Sequence, residues 1–199
     1  MFKFIKKYLA NRKAALETTA TDKIRADAFI SVGPACRPAQ YLRKFNLRTF
    51  SSPFDWMMSY SLNDAARLIK CGGAGFFAHY AELERSAADY PHHRFVQDSQ
   101  TGMISMHDFP RTASVRQHYG EFAAKYKRRF EALKKAICAA RHIVFVANRN
   151  EDEATFEAFL RQMREFHAAS YTFINIRHDE GAKKLIKTSK MTSGGGFAR

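Results

Sequence analysis

The stretch that decides the fold begins with Ile143-Val144-Phe145-Val146-Ala147 and ends with Tyr171-Thr172-Phe173-Ile174-Asn175-Ile176. Both runs are short and rich in β-branched and aromatic residues, which is typical of buried strands. Residues 153–168, between them, carry large apolar side chains at helical spacing. Strand, helix and strand at this spacing predict a βαβ unit, in which two parallel strands need helices to cover the sheet.

The segments upstream extend this architecture. Ala28–Val32 (AFISV) is a third apolar run and ends at Gly33-Pro34. Residues 94–109 predict an antiparallel hairpin. Residues 115–140 predict a long helix, because one apolar stripe runs through Val115, Tyr119, Phe122, Tyr126, Leu133 and Ile137. We expect an α/β protein with one mainly parallel sheet flanked by helices and one antiparallel hairpin.

Length and composition predict one domain with a charged leader and a tail. The chain has 199 residues, 46% of them hydrophobic, enough for one sizeable core. Residues 1–25 predict a basic amphipathic leader, and residues 26–187 the single α/β domain. Residues 188–199 are poor in apolar residues and rich in glycine, so we expect a disordered tail.

The charge of the chain favours anionic partners. A net charge of +14 and a pI of about 9.9 favour nucleic acid, an anionic membrane face, or a phosphorylated or acidic small molecule. No nucleotide-binding glycine motif or nucleic-acid module is present, so we expect no specific nucleic acid. Residues 1–13 place apolar side chains on one helical face and lysines elsewhere. That pattern favours peripheral contact with an anionic membrane, and packing on the domain is the alternative.

Cysteine and histidine usage indicates a reduced compartment and no metal. Cys36, Cys71 and Cys138 are too few and too widely spaced for a disulfide framework or a structural zinc site. His92-His93 and His178-Asp179-Glu180 lack the spacing that places ligands together on one helical face. No cofactor is predicted. No run approaches the ~20 apolar residues of a membrane span, and no secretory signal is recognised, so a cytoplasmic location is expected.

Cys36 is the candidate nucleophile. A strand ends at Gly33-Pro34, and residues 36–45 predict a helix with Cys36 in its first turn. The free N–H groups and the dipole of a helix N-terminus stabilise a thiolate, and Arg37 adds positive charge. The same groups, with Gly33 in the turn, can hold a phosphate or an oxyanion instead. A third interpretation is a packed cysteine that acts as a small hydrophobe.

A nucleophilic cysteine needs a base, and His107 is the candidate. It lies near the end of a predicted strand, so the neighbouring Asp108 is expected on the opposite face unless the strand breaks there. Asp55, Asn148 and Asn175 are other candidate orienting groups. Asp55 lies in a loop after a proline, where function and turn closure are both common roles for an aspartate.

The remaining candidates concern substrate binding. Ser52 and Trp56 lie in the same loop as Asp55. Arg128 and Arg129 lie in a basic cluster on the long helix, which is either a solvated face or a site for an anionic substrate.

Several of these segments together resemble a known family. They are Ile30-Ser31-Val32-Gly33, Cys36-Arg37-Pro38-Ala39, Ser52-Pro53-Phe54-Asp55-Trp56, His107-Asp108-Phe109, Arg128-Arg129-Phe130 and Ile143-Val144-Phe145-Val146. Their order over residues 28–150 resembles an uncharacterised bacterial family named for a predicted papain-like cysteine peptidase activity. The papain signature around the cysteine is absent, and the βαβ unit is closer to a Rossmann-type or flavodoxin-like layer than to a papain-like barrel.

The resemblance implies a Cys–His centre at Cys36 and His107, with an acidic partner among Asp55 and Asp108. It implies a cysteine-dependent hydrolase or acyltransferase. Relatives of this kind are associated with surface-glycan assembly, so the alternative is a non-covalent domain that binds a phosphate or a nucleotide-sugar.

Overall fold

The computed structural model describes residues 24–84, 90–176 and 188–192. In chain order its elements are β1 (Ala28–Ser31), α1 (Arg37–Lys44), β2 (Met57–Met58), α2 (Leu62–Lys70), β3 (Tyr80–Leu83), β4 (His93–Asp98), β5 (Ile104–Pro110), α3 (Val115–Ala139), β6 (His142–Ala147), α4 (Glu153–Phe166), β7 (Ser170–Ile176) and β8 (Thr188–Thr192). The strands form two four-stranded sheets, one in the order β1-β6-β7-β8 and one in the order β2-β5-β4-β3.

The first sheet contains the predicted βαβ unit. β1, β6 and β7 are parallel, and the strand pairing sets Ala28 beside Ile143 and His142 beside Ser170. The crossover helix α4 begins after Asp152, whose side chain accepts a hydrogen bond from the backbone N–H of Thr155 at 2.9 Å. Such an N-cap contributes about 1 kcal/mol to helix stability. The prediction of a parallel sheet flanked by helices is confirmed.

Alternation along the central strands divides the apolar residues between two layers. Ile143, Phe145 and Ala147 of β6 belong to the large core that includes residues of α2, α3 and α4. Val144 and Val146 face the other side, where they pack with Leu42 of α1. Because both faces of the sheet are covered, the strand appears in the sequence as a continuous apolar run.

The second sheet is larger than the hairpin expected from the sequence. β4 and β5 are antiparallel as predicted, and β3 and β2 extend the pair on its two sides. Arg94 pairs with Phe109 and Val96 with Ser105, so two residue steps on β4 face four on β5. The extra residues form a bulge at Met106-His107-Asp108. Bulges of this kind re-aim side chains and are frequent beside active sites.

Two other features concern the ends of the chain. Residues 188–199 were expected to form a disordered tail, whereas Thr188–Thr192 form β8, antiparallel to β7. The leader, apart from its last two residues, lies outside the described residues, and so do His178-Asp179-Glu180. Among the described helices, none is long and apolar enough to cross a bilayer.

Candidate active site at the start of the first helix

Cys36 lies at the N-terminus of α1, as the sequence predicted. It is the N-cap residue, it is half-buried, and its side chain makes no capping hydrogen bond. The first turn of α1 contains no acidic residue, so the helix contributes no carboxylate of its own at the positive end of its dipole. The first turn of a helix leaves backbone N–H groups without intrahelical partners, although Pro38 contributes none here. The other two cysteines differ from Cys36: both Cys71 and Cys138 are exposed, and Cys71 lies at the C-terminus of α2.

The turn that carries Cys36 is held on both sides. The carbonyl of Gly33 accepts from the backbone N–H of Asn148 at 3.2 Å, and the N–H of Ala35 donates to the Met57 carbonyl at 2.9 Å. Gly33 has a φ of 52°, and a Cβ atom built there would lie 2.2 Å from Tyr60 Oη. Only glycine fits this position. The role of Gly33 is thus to bring the chain from β1 into α1, and no ligand contact is needed to explain it.

His107 lies on the β5 bulge, exposed and held between two rings. The His107 and Trp56 ring centroids are 6.1 Å apart, with the rings nearly perpendicular. The His107 and His93 centroids are 5.9 Å apart, at an interplanar angle of 78°. These edge-to-face contacts restrict the orientation of the imidazole.

Trp56 connects the histidine to the helix that begins at Cys36. The half-buried indole lines a crevice of about 10 Å³ together with Ala39 and Gln40 of α1, and with Arg43 and Arg48. Both α1, through Ala39, Gln40 and Arg43, and the β5 bulge, through His107, therefore border Trp56. Within the described residues, no hydrogen bond joins Cys36 to His107. Cys36 and His107 lie on different elements, and Trp56 packs on the ring of His107 and lines the crevice beside α1.

Asp55 is buried, with a relative exposure of 1%, and is bound by Arg48. Its Oδ2 atom accepts from Arg48 Nε at 3.1 Å, from Arg48 Nη2 at 2.5 Å and from the backbone N–H of Ser52 at 3.1 Å. Burial raises the pKa of Asp55, although the Arg48 guanidinium opposes that shift. The carboxylate closes the loop before β2 and does not contact His107.

Asp108 turns toward α3. Its Oδ2 atom accepts from Ser105 Oγ at 2.5 Å and from Tyr126 Oη at 2.9 Å, and its Oδ1 atom accepts from Lys125 Nζ. Burial alone would raise the pKa of Asp108, but the Lys125 ammonium and the two hydroxyls outweigh it and lower that pKa. Asp108 is thus bound to Ser105 and to α3 and makes no hydrogen bond to His107; the bulge interrupts the alternation on which the expectation for Asp108 depended.

The remaining substrate-binding candidates are of two kinds: some have side chains held by hydrogen bonds within the protein, and others are exposed to solvent. Ser52 donates to the Ser31 carbonyl at 3.0 Å and accepts from the Phe54 N–H at 3.3 Å, so its hydroxyl is occupied. Arg129 donates to Tyr126 Oη at 3.2 Å. Arg37 and Arg128 are exposed.

The strand-end asparagines hold loops and do not reach the histidine. Asn175 accepts from the backbone N–H of Arg149 and donates to its carbonyl, each at 2.8 Å. Asn148 donates to the Ile176 carbonyl. Neither asparagine bonds to His107.

Arg149 is a residue of this region that the sequence did not single out. It is 4% exposed, and it donates to the Val32 carbonyl at 3.2 Å and to the Tyr60 carbonyl at 3.0 Å. These bonds tie the end of β1 to the loop after β2. Arg149 follows the apolar run of β6, and residues at the carboxyl ends of parallel strands lie close together, so this position in the sequence could have identified it as a candidate.

No group of three or more metal-ligating side chains occurs among the residues that the structure describes.

A curated relative is an uncharacterized protein of Acanthamoeba polyphaga mimivirus, 28% identical over 137 residues, which cover 59% of this chain and 60% of the viral protein. The chain thus spans less than two thirds of that relative. No solved structure matches the chain. A family model described as "Putative papain-like cysteine peptidase (DUF1796)" matches residues 27–181, and the chain belongs to that family.

Proposed function

We propose that the protein is a cysteine-dependent hydrolase in which Cys36 is the nucleophile and His107 is the base. The observation that carries the proposal is an uncapped, half-buried cysteine at the N-terminus of α1, in a turn whose Ala35 N–H donates to Met57, the residue after Trp56, which packs on His107. Membership of a family described as cysteine peptidases supports the same chemistry.

The reaction is built from these positions. Cys36 Sγ attacks a carbonyl carbon, and His107 takes the thiol proton. The free N–H groups of the first turn of α1 hold the oxyanion. His107 then gives the proton to the leaving amine or alcohol, and a thioester remains. Water attacks the thioester, His107 takes its proton and returns it to sulfur, and the carboxylic product leaves.

An acyltransferase would use the same thioester, with an alcohol or amine in place of water. The outer face of α1 bears on the substrate class, because this helix carries Arg37, Arg43 and Lys44 and no acidic side chain. We therefore expect an anionic or phosphorylated substrate, such as a glycan precursor. The alternative is a domain that binds such a phosphate at the same helix end without covalent chemistry.

Labelling by iodoacetamide across pH 5–10, read by peptide mass spectrometry at each cysteine, tests the proposal. The reagent reacts with the thiolate. We expect Cys36 to label rapidly well below pH 8, and His107→Gln to slow that labelling. Cys71 and Cys138 are internal controls, because both are exposed and lie outside the candidate site. If Cys36 labels no faster than these two, the nucleophile proposal is wrong. A phosphorylated ligand that then binds equally well to Cys36→Ser would favour the non-covalent alternative.

A further inference from the structure

His107 has no carboxylate or amide partner among the described residues. Asp108 is bound to Ser105, Lys125 and Tyr126, and Asp55 to Arg48. The rings that contact His107 are those of Trp56 and His93. Among the described residues, therefore, no carboxylate or amide orients His107, although such a group usually orients the histidine of a Cys–His centre.

We propose that His93 is the positioning residue of the candidate base, its ring holding the imidazole of His107 in place while His107 takes the proton of Cys36. This proposal rests on the proposed function, since it concerns the same histidine. It replaces the acidic partner expected from the sequence with a second imidazole.

The two histidines meet because of the bulge in β5. His93 is the first residue of β4 and pairs with Pro110 at the end of β5. The extra residues at 106–108 project His107 toward the start of β4, so the two rings come within 5.9 Å. His93 is half-buried, whereas His107 is exposed and free to reach a substrate. Trp56 borders His107 as a second ring, which confines the imidazole from two directions.

The charges around His93 favour its neutral form. Partial burial lowers the pKa of His93, and the neighbouring His107 and His92 lower it further. Asp108 opposes this shift, but its carboxylate is already bound to Lys125. The adjacent Arg94 is paired with Glu82 of β3 at 2.6 Å. A neutral imidazole beside His107 can accept its N–H or contact the cation with its ring face, whereas two imidazolium ions so close would repel each other.

A titration of the imidazole signals by NMR tests the pairing without reference to activity. In His107→Gln, the pKa of His93 should rise, because the cation that opposes its protonation has been removed. His79→Gln is the control, since His79 is an exposed histidine that is not among the groups acting on the pKa of His93. A His93 pKa that stays the same in His107→Gln would overturn the pairing.

Labelling of Cys36 tests the positioning role. His93→Gln should slow the reaction near pH 6.5 on the order of tenfold, less than the ~100-fold that a 1 Å misplacement of a catalytic group can cost. The rate near pH 9.5 should be unchanged, because the thiol then ionises without the base. His93→Phe keeps a ring against His107 and should restore most of the rate at pH 6.5. A rate in His93→Phe as low as that in His93→Gln would contradict positioning by ring contact.

The two proposals fail in different ways. If Cys36 of the unmodified protein labels no faster than Cys138, the proposed function fails, and the positioning role that rests on it fails as well. If Cys36 labels rapidly and His93→Gln labels equally rapidly, the hydrolase proposal stands and only the role of His93 is overturned.

Discussion

Buried Asp55 and half-buried Asp108 each have a cationic partner, yet their pKa values shift in opposite directions. Burial raises the pKa of Asp55, and Arg48 does not fully compensate. Burial also acts on Asp108, but there Lys125, Ser105 and Tyr126 prevail and the pKa falls. The relative exposures of the two side chains are 1% and 10%.

The difference arises from how the donors are distributed. Among the described residues, the donors to Asp55 all reach Oδ2. Asp108 receives donors on both oxygens, two hydroxyls on Oδ2 and an ammonium on Oδ1. Hydrogen bonds to the charged form of a carboxylate favour that form, and those in which the donor is itself charged are the stronger ones. A single ion pair with a deeply buried partner is a weaker substitute for solvent.

The largest effect is expected from Arg48→Met. Without the guanidinium, Asp55 is left as an uncompensated buried charge, which costs about 3 kcal/mol at pH 7. A raised native pKa means that the charged form opposes folding, and that this cost disappears as pH falls and Asp55 takes a proton. We expect a smaller loss at pH 4.5 than at pH 7, measured by urea unfolding.

Two variants control for this result. Arg37→Met removes an exposed arginine on α1 and should change the free energy of unfolding by less than ~0.5 kcal/mol. The double variant Arg48→Met/Asp55→Asn should be more stable than Arg48→Met alone, because it also removes the buried charge. Equal losses at pH 4.5 and pH 7 would show that Asp55 is not the source of the effect.

A smaller effect, with a different pH window, is expected from Asp108→Asn. Hydrogen bonds to a charged group are worth more than neutral ones, so we expect a loss of about 2 kcal/mol at pH 7. Because the native pKa of Asp108 is lowered, its stabilisation is present above the ordinary carboxyl value of 3.8 and is lost only as pH falls through the lower native pKa.

Urea unfolding at pH 4.5 therefore separates the two carboxylates. Asp108→Asn should still show its full loss there, while the loss in Arg48→Met should already have decreased. The reverse order would mean that the two sites have been assigned the wrong electrostatic environments.

The fold was largely predictable, because its central strands carry their signal locally. β1, β6 and β7 are buried on both faces and read as apolar runs. β3 lacks this signal, since Ala81 and Glu82 are exposed, and β2 has only two residues. The start of α1 was predictable for the same reason, since Gly33-Pro34 and the helical spacing after it are adjacent in the chain.

The surroundings of the carboxylates were not predictable. Arg48 lies seven positions from Asp55, and Lys125 and Tyr126 lie 17 and 18 positions from Asp108. Whether α3 packs against the β5 bulge is a property of the whole fold and not of any local pattern. The sequence therefore identified the two acids but could not assign their partners.

The smallest effect is expected from Tyr126→Phe. Burial and the adjacent Asp108 carboxylate raise the pKa of Tyr126 well above its ordinary value, so its hydroxyl remains a donor. Its loss removes the hydrogen bond donated to Asp108 and the longer one, at 3.2 Å, accepted from half-buried Arg129, and we expect a loss of about 1 kcal/mol. It should also raise the pKa of Asp108 in a carboxyl NMR titration, since one bond to the charged form is gone. Tyr119→Phe is the matched control, because that hydroxyl donates to the Phe77 carbonyl at 3.0 Å and leaves Asp108 untouched. If both variants leave the Asp108 pKa in place, Lys125 and Ser105 alone lower it, and the contrast with Asp55 depends on the ammonium.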